Sequence, residues 1–241
     1  MSSKKICILI PAFNEERTIS EVIKKIPKIP NHLTTILVVD DGSQDNTKKI
    51  AEKMGAVVIS NRKNAGLGYT FKRGLRYAIK MGADIIAILD ADGQYDPVEI
   101  KRFVKVLYEN KGDIIVGNRI LSSSVINYGI MRKWMNFLIS FFISKILLKN
   151  KFIFDTQTSF RVFNKRVAQF LLSKLKGTYN YAQELLILTY LKGFKILQLP
   201  VSCYYYRHRK SRLIQNIPLH VIKVVMKSLQ TYIKGKFSLT D

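Results

Sequence analysis

The stretch DADGQYDP, Asp90 to Pro97, places three carboxylates within seven residues, directly after the apolar run IIAIL. Carboxylates at the exit of a buried strand repel one another unless a cation lies between them. On an extended chain Asp90 and Asp92 point the same way, because side chains alternate with period two. With Gln94 close behind, the pair suits Mg²⁺ or Mn²⁺, which takes oxygen ligands and shares them with substrate phosphates. A solvated turn is the alternative, and the position after a core strand favours the metal site.

Two other apolar runs also end in polar side chains. The run TTILVV is followed by Asp40 and Asp41, and a carboxylate there could accept hydrogen bonds from a nucleobase or a ribose. Helix capping accounts for Ser43 or Asp45 without any ligand, but not for two adjacent acids at a strand end. In PAFNEE, after the first apolar run, Asn14 fits a helix cap with two glutamates in the first turn, but the position at the sheet edge favours a ligand-binding role for Glu15 and leaves both interpretations open for Glu16.

The elements that must position these side chains follow from the rhythm of the first half of the chain. Short β-branched runs alternate with helix-like stretches, which predicts an α/β fold with a mostly parallel sheet and helices on both faces. In such sheets ligands bind where the strands end at their carboxyl edge. The acids above all lie at predicted strand ends, so we expect one polar edge. The predicted helices are Glu15–Lys25, Asp45–Met54, Thr70–Met81, Pro97–Glu109, an apolar helix within Trp134–Leu148 and a final helix over Pro218–Lys234.

Charge divides the chain into two unlike parts. Residues up to Asp113 hold 19 basic and 14 acidic side chains, whereas the remainder holds 21 basic and 3 acidic ones. This asymmetry predicts that the second part faces an anion, which could be nucleic acid, a membrane surface or a phosphorylated substrate. The 47% hydrophobic content excludes a disordered chain. Cys7 and Cys203 lie in separate apolar runs, so we expect neither a disulfide nor a zinc site, which fits a reducing cytosol.

The apolar segment Trp134–Leu148 is shorter than the roughly 20 residues of a membrane span and contains Lys145. A buried core helix is one interpretation of it. Its basic flanks favour another, a membrane-interface segment over about residues 128–150 that lies on an anionic leaflet. The final helix carries His220 and several lysines on one face, which indicates a basic amphipathic helix. No signal peptide is expected, because the N-terminus turns polar after a short apolar stretch.

Taken together, the motifs IPAFNEE, VVDDGSQDNT, NAGLGYTFKRGLRYA and ILDADGQYDP resemble those of inverting family 2 glycosyltransferases with a GT-A fold. Within that family the chain is most similar to the dolichol-phosphate mannose synthase and polyprenyl-phosphate glycosyltransferase group. The resemblance is strong from residue 4 to about 120, and DTQTSFRVF with YYYRHRKSR extends it more loosely to about 212. We therefore expect a glycosyltransferase domain over residues 1–212 and a basic amphipathic segment over 213–241.

The resemblance implies a nucleotide-sugar donor, GDP-mannose or a UDP-hexose, whose diphosphate is bridged by Mg²⁺ or Mn²⁺ at Asp90, Asp92 and Gln94. It implies Asp92 and Arg119 as catalytic residues. In similar enzymes, basic residues after the fifth strand and near the last strand contact phosphates, which points to Arg119 and to Arg207 or Arg209. Lys72 and Arg73 could pair with donor phosphates or simply face solvent. The implied donor-binding residues are Pro11, Phe13, Glu15, Asp41, Asp90, Ala91, Asp92, Gln94 and Arg209, and those for an acceptor phosphate are Arg119, Arg132 and Arg207.

Three functions compete at this point. The first is sugar transfer to a polyprenyl phosphate by an enzyme held peripherally on the cytoplasmic face of a membrane, with Arg132 binding either the acceptor phosphate or lipid headgroups. The second is transfer to a hydroxyl of a glycan, which needs a general base such as Glu184 or Asp155. The third, a nucleic-acid-binding module, is prompted by CYYYRHRKSR but predicts nothing about the acids, so no specific nucleic-acid partner is expected.

Overall fold

The protein is described by a computed structural model that covers residues 3–109, 112–122, 125–126, 129–150, 155–176, 180–205 and 217–238. Nine strands and eight α-helices lie within these ranges. The strands are β1 (Lys5–Ala12), β2 (Leu33–Asp40), β3 (Val57–Ser60), β4 (Ile85–Ile88), β5 (Ile114–Asn118), β6 (Val125–Ile126), β7 (Arg161–Asn164), β8 (Ile196–Pro200) and β9 (Cys203–Tyr204). The helices are α1 (Ile19–Lys24), α2 (Thr47–Lys53), α3 (Leu67–Lys80), α4 (Ile100–Tyr108), α5 (Ile130–Phe141), α6 (Lys165–Lys174), α7 (Tyr181–Leu191) and α8 (Ile217–Ser238), with a 3-10 turn at Pro97–Glu99 and a π-helical segment at Phe142–Leu147.

Seven strands form one sheet in the order β3-β2-β1-β4-β7-β5-β8. Strands β3, β2, β1 and β4 pair in parallel, as do β5 and β8. Strand β7 is antiparallel to both of its neighbours, β4 and β5. The predicted mostly parallel α/β sheet is confirmed, and β7 is the addition that the alternating rhythm did not predict. A second, two-stranded sheet pairs β6 with β9.

The sheet is covered on both faces, which explains why its strands are continuous apolar runs rather than alternating ones. In β1, Ile6, Ile8 and Ile10 pack against α1, α2 and α4 on one face. Cys7 and Leu9 pack against α3, α6 and α7 on the other. Both cysteines are free, buried thiols, as expected. The carboxyl ends of the parallel strands consequently open on one edge between the two helical layers.

The predicted apolar helix begins at Ile130, earlier than the pattern indicated, and continues from Phe142 as the π-helical segment. One side of it is buried, because Ile139 and Ile143 join a third apolar cluster with α7 and α8. The other side is not, since Ile130 is 78% and Trp134 60% exposed. The buried side fits the interpretation as a core helix, and the membrane-interface interpretation of the exposed side stays a prediction.

Helix α1 starts at Ile19, four residues later than predicted, and Asn14 is not its cap. Asn14 has a φ of +53°, a left-handed backbone that ends the strand rather than starting a helix. Its side chain instead accepts a hydrogen bond from the Gln44 amide at 2.9 Å. The residues up to Thr18 are thus free to form the loop that follows β1 at the carboxyl edge.

Gly42 lies where the loop after β2 approaches the backbone of Lys63 and Asn64 closely. Its φ is +75°, and a Cβ added there would lie 2.7 Å from the Lys63 carbonyl carbon and 2.9 Å from the Asn64 nitrogen. Backbone atoms cannot swing away as the end of a flexible side chain can. Gly55, by contrast, has a φ of +80° with no atom within 4 Å of the same added Cβ.

Alanine substitutions at Gly42 and Gly55 distinguish the cost of a left-handed backbone from the cost of pushing the two loops apart. Gly42→Ala and Gly55→Ala both pay for a left-handed alanine, about 1 kcal/mol. We expect Gly42→Ala to lose about 1–3 kcal/mol more of the free energy of unfolding, because it also forces the backbones apart. Denaturant unfolding of the two variants measures the difference. Equal losses would show that the loops do not depend on this contact.

Candidate active site

The loops after β1 and β2 are joined to each other by hydrogen bonds. The Asn14 amide donates to the Ser43 hydroxyl at 2.9 Å, and the Glu15 amide donates to the Thr47 hydroxyl at 2.7 Å. The Glu15 carboxylate accepts a hydrogen bond from Thr18 at 2.7 Å. These bonds fix the position of the segment that contains the predicted donor-binding residues Pro11, Phe13 and Glu15 relative to the segment that contains Asp41.

Asp41 is buried at the end of β2, and its carboxylate accepts three hydrogen bonds from the protein. The donors are the Asn61 side chain at 2.6 Å and the amides of Ala65 and Gly66, each at 2.9 Å. Asp41 therefore fixes the loop that leads into α3. Its neighbour Asp40 accepts from the Ser43 amide at 3.1 Å and shapes the turn after β2. The N-cap of α2 is Asn46, whose side chain makes no capping bond, and Asp45, one residue earlier, accepts from the Thr47 amide at 2.9 Å.

Lys72 and Arg73, considered as partners for donor phosphates, are engaged elsewhere. The Lys72 ammonium donates to the Leu175 carbonyl, which ties α3 to the end of α6. Arg73 donates to the Ser60 carbonyl at 2.7 Å and to the side chain of Asn61. Hydrogen bonds within the protein therefore account for the positions of both side chains without a phosphate.

The acidic corner, which we define as Asp90, Asp92 and Gln94, follows β4. Ala91 and Asp92 form a turn, so the expectation of an extended D-x-D segment is wrong. The turn is closed by the Gln94 amide, which donates to the Asp92 carboxylate at 2.9 Å, and by Gly93 with a φ of +72°. The carboxylates of Asp90 and Asp92 nevertheless both act on the same neighbour, Cys203. Burial raises the pKa of the Cys203 thiol to about 11, and the charges of Asp92 and Asp90 both add to that rise.

Asp90 is held by Ser159, a residue that the sequence did not single out. The Ser159 hydroxyl donates to the Asp90 carboxylate across the sheet. Burial raises the pKa of Asp90, the Ser159 hydrogen bond and the Arg119 charge oppose that rise, and the Glu15 carboxylate adds to it. Acidic groups from β1 and β4 therefore repel one another here.

The residues of the acidic corner fit a divalent cation that completes its shell with ligands from outside the protein. In the described part of the chain no three Asp, Glu, His or Cys side chains form a ready-made metal cage. Two carboxylates and an amide oxygen leave coordination positions of a hard cation for water and phosphate oxygens, which is the usual arrangement for Mg²⁺.

Arg119, directly after β5, forms a buried ion pair with Asp155. Its Nε donates to one carboxylate oxygen at 2.7 Å and its Nη2 to the other at 2.9 Å. The Arg119 amide adds a third bond at 3.1 Å. Burial raises the pKa of Asp155, but the Arg119 charge and hydrogen bonds outweigh burial and hold that pKa below its ordinary value. Asp155, one of the two candidate bases, is therefore a fixed anion in this structure.

Tyr205 joins Arg119 to Arg132, a connection that the sequence did not predict. Arg119 Nη1 donates to the Tyr205 hydroxyl at 2.6 Å. The guanidinium carbon of Arg132, on α5, lies 4.9 Å from the centre of the same ring. Two of the three arginines predicted for an acceptor phosphate are thus brought together. The third, Arg207, and the donor candidate Arg209 lie outside the described residues.

Comparisons with known proteins identify the family of this chain. The family model described as glycosyl transferase family 2 matches residues 7–172. The chain belongs to glycosyl transferase family 2. An uncharacterized protein of Methanocaldococcus jannaschii is 33% identical to this family 2 chain over 215 residues, 88% of this chain and 86% of that protein. The UDP-N-acetylglucosamine–dolichyl-phosphate N-acetylglucosaminyltransferase of Methanococcus voltae is 29% identical over 231 residues, 88% of this chain and 90% of that protein.

Two further similarities are more distant. The polyprenol monophosphomannose synthase of Mycolicibacterium smegmatis is 25% identical over 138 residues, 55% of this chain and 49% of that protein. A crystal structure of glucosyl-3-phosphoglycerate synthase from Mycobacterium tuberculosis, in complex with Mn²⁺, UDP and glucosyl-3-phosphoglycerate, superimposes with a TM-score of 0.72 at 19% identity. The match covers 93% of this chain and 80% of that chain. It shows that this family 2 glycosyltransferase has the GT-A fold.

Glu184, the other candidate base of this glycosyltransferase, is buried in the first turn of α7. One carboxylate oxygen accepts from the Lys176 amide at 2.9 Å, and the other has no hydrogen-bond partner among the described residues. Burial raises the pKa of Glu184, and the amide and charge of Lys176, followed by the charges of Lys72 and Lys227, oppose that rise. The charges that affect the pKa of Glu184 therefore differ from those of Arg119 and Glu15, which affect the pKa of Asp90.

A second buried arginine, Arg161 of β7, was not predicted to have any role. It is 1% exposed, and Nη1 donates to the Ala182 carbonyl at 2.7 Å at the start of α7. Burial lowers its pKa to about 10. Carbonyl groups are its hydrogen-bond partners, and within the described ranges it forms no ion pair. Arg161 thus adds positive charge below the carboxyl edge of this glycosyltransferase and holds the helix that carries Glu184.

The Arg119–Asp155 ion pair yields a stability prediction. Asp155→Asn leaves a buried guanidinium without its counter-charge, so we expect a loss of about 3–5 kcal/mol in the free energy of unfolding at neutral pH. Because the folded-state pKa of Asp155 is depressed, its contribution is present above the unfolded pKa of about 3.9 and is lost as the pH falls through the folded-state value. The variant should therefore lose less stability than the wild type on acidification below about pH 4.

Denaturant unfolding at several pH values measures both effects. Glu21→Gln, which removes an exposed pair with Lys24 on α1, is the matched control and should change the stability little. If Asp155→Asn is as stable as the wild type at neutral pH, the assignment of Asp155 as a structural anion is wrong.

Proposed function

We propose that this glycosyltransferase moves a hexosyl group from a nucleotide sugar to a polyprenyl phosphate at a membrane surface. The observation that carries the proposal is the pairing of two unlike sites at one edge of the sheet. The acidic corner suits a metal with a donor diphosphate, and Arg119 and Arg132 meet on Tyr205 to form a basic site that suits a second phosphate. The relatives from Methanococcus voltae and Mycolicibacterium smegmatis, a dolichyl-phosphate N-acetylglucosaminyltransferase and a polyprenol monophosphomannose synthase, support this acceptor class.

On the donor side, Asp90, Asp92 and Gln94 would hold Mg²⁺ or Mn²⁺. When bound, the metal neutralises charge that develops on the departing diphosphate. Ser159 fixes one oxygen of Asp90 and so orients the other for the metal. The hydrogen-bonded loops that contain Phe13 and Asp41 would position the nucleoside. The two relatives are named for different sugars, N-acetylglucosamine and mannose, so a panel of nucleotide sugars identifies the donor.

On the acceptor side, the attacking atom would be a phosphate oxygen. It forms a bond to the anomeric carbon of the sugar while the bond from that carbon to the diphosphate breaks, with inversion. A phosphate oxygen is already ionised, so the reaction needs positioning rather than a general base. This requirement matches the structure, because Asp155 is held in its ion pair with Arg119. The guanidinium groups would keep the acceptor anion beside the donor anion, which it would otherwise repel.

A hydroxyl acceptor is the second candidate, and one observation favours it. Glu184 has an unpartnered carboxylate oxygen among the described residues and a raised pKa, both of which are consistent with a general base. Its surroundings are the three lysines named above rather than the acidic corner. We therefore rank this acceptor class behind the phosphate.

The membrane surface would be met by α5 and α8. Their exposed faces combine apolar side chains, such as Trp134, Leu138 and Met226, with lysines such as Lys133 and Lys227. This mixture suits the interface of an anionic leaflet, where apolar groups insert and ammonium groups stay at the headgroups. Within the described ranges, no helix is both long and apolar enough to cross a membrane. We propose peripheral attachment at the cytoplasmic face.

The direct experiment incubates the purified protein with Mn²⁺ or Mg²⁺, a panel of nucleotide sugars, and either a short polyprenyl phosphate or the matching polyprenol. We expect nucleoside diphosphate and glycolipid to form with one donor and the phosphate acceptor only. Equal transfer to the neutral polyprenol would contradict the phosphate acceptor and favour the hydroxyl mechanism.

Asp92→Asn tests the metal. The substitution keeps the size of the side chain and its hydrogen bond from Gln94, but it removes a charged metal ligand. We expect transfer to fall by at least about 100-fold, since a lost interaction with a divalent cation is worth several kcal/mol. Paramagnetic resonance of Mn²⁺ in the presence of nucleoside diphosphate should show weaker binding. Asp96→Asn, four residues further on, is the control. Undiminished Mn²⁺ binding by Asp92→Asn would show that Asp92 is not a metal ligand.

Trp134→Glu tests the membrane face. A carboxylate among acyl chains and anionic headgroups is unfavourable, so we expect vesicle binding to weaken about tenfold or more with an unchanged melting temperature. Flotation with anionic vesicles measures the vesicle binding. Leu33→Glu adds the same charge at another exposed apolar position, at the start of β2, and should bind like the wild type. Equal binding by both variants would contradict the assignment of this face.

A further inference from the structure

Tyr205 holds two cations from distant parts of the chain. Its side chain is 7% exposed, its hydroxyl accepts from Arg119 Nη1 at 2.6 Å, and its ring lies under the Arg132 guanidinium at 4.9 Å. Arg119 follows β5, whereas Arg132 belongs to α5 on the exposed apolar face. One tyrosine thus connects the carboxyl edge of the main sheet with the helix that carries Trp134.

Tyr205 holds both arginines without adding a negative charge of its own, and Asp155 remains the counter-charge of Arg119. A carboxylate at this position would neutralise one of them. A hydroxyl lone pair and the negative face of an aromatic ring attract cations without adding a compensating charge. Asp155 is the partner of Arg119, and within the described residues Arg132 forms neither a hydrogen bond nor an ion pair. A guanidinium stacked on a ring directs its N–H groups sideways, where they can grip a phosphate.

The backbone at Tyr205 is tied to the acidic corner. The Tyr204 amide donates to the Gln94 carbonyl at 2.7 Å, and Cys203 forms a bridge with Tyr95. The Tyr205 amide donates to the Ile126 carbonyl at 3.0 Å. The tyrosine is therefore fixed relative to the loop that would hold the donor diphosphate, and through it the two arginines are fixed as well.

We propose that Tyr205 is a positioning residue for the acceptor. It sets the spacing between the Arg119 and Arg132 guanidinium groups so that both hold one phosphate monoester at a fixed distance from the donor. This inference rests on the proposed function, since it names the residue that organises the acceptor site of that reaction. Tyr205 acts through the arginines and need not touch the reacting atoms.

Two variants of Tyr205 distinguish the contribution of its hydroxyl from that of its ring. Tyr205→Phe keeps the ring under Arg132 and removes the hydroxyl that Arg119 binds. Tyr205→Leu removes both. Tyr108→Phe, at the end of α4 beside His32 and at the opposite edge of the sheet, removes a hydroxyl far from the site and serves as the control.

The measurements are KM for a short polyprenyl phosphate, kcat, and the affinity for nucleoside diphosphate with Mn²⁺ by calorimetry. For Tyr205→Phe we expect KM for the lipid phosphate to rise about three- to tenfold, the scale of one hydrogen bond, with nucleoside diphosphate affinity within about twofold of the wild type. Tyr205→Leu should raise KM further, by about tenfold or more, because the stacking is also lost. Tyr108→Phe should match the wild type in all three.

The possible results separate this inference from the function on which it rests. If the wild type transfers sugar to polyprenyl phosphate and Tyr205→Phe shows an unchanged KM, the inference is wrong and the proposed function stands. An equal loss of nucleoside diphosphate affinity in Tyr205→Phe would also overturn it, because Tyr205 would then serve the donor. No transfer to any lipid phosphate by the wild type would overturn both. If Tyr205→Leu fails to fold, Tyr205→Phe alone decides.

Discussion

The buried ion pair between Arg119 and Asp155 is the constraint on which the rest of the site depends. A guanidinium in the interior is tolerable only with its charge and hydrogen bonds satisfied, and Asp155 supplies two parallel bonds at 2.7 and 2.9 Å. This pairing gives Arg119 one orientation, which allows Tyr205 to accept its third bond and Arg132 to stack beyond. The same arginine moderates the raised pKa of Asp90. Arg119 thus binds Asp155 and Tyr205 directly, and its charge also acts on Asp90 in the acidic corner.

Part of this arrangement could be predicted from the sequence, because parallel strands bring their carboxyl ends together. Asp41, Asp90 and Arg119 were all expected at one edge for that reason, and they lie there. Ser159 and Tyr205 were not predicted, since their positions depend on β7, which inserts antiparallel between β4 and β5, and on the pairing of β9 with β6. No local periodicity reports such non-local pairing. The turn at Asp92 was likewise missed, because a D-x-D pattern does not reveal where the strand ends.

The apolar segment illustrates another limit of sequence patterns. Ile139 is 1% exposed, whereas Trp134, on the same helix, contributes to the outer face. A window of mixed apolar residues cannot distinguish a core-facing side from an exposed side when both are hydrophobic. Packing decides it here, because α8 and α7 cover one side only. The charge asymmetry along the chain predicts an anion-facing half without specifying any contact, and it stays a prediction.

The proposed function requires two separate anion sites at one edge of the sheet, the acidic corner and the basic site around Tyr205. The most direct measurement is calorimetric titration of a short polyprenyl phosphate into the protein already saturated with Mn²⁺ and nucleoside diphosphate. We predict that the lipid phosphate still binds, with an affinity close to that for the metal-free, nucleotide-free protein, because the basic site around Tyr205 is distinct from the acidic corner. Mutually exclusive binding would contradict the account, since both anions would then occupy the same site.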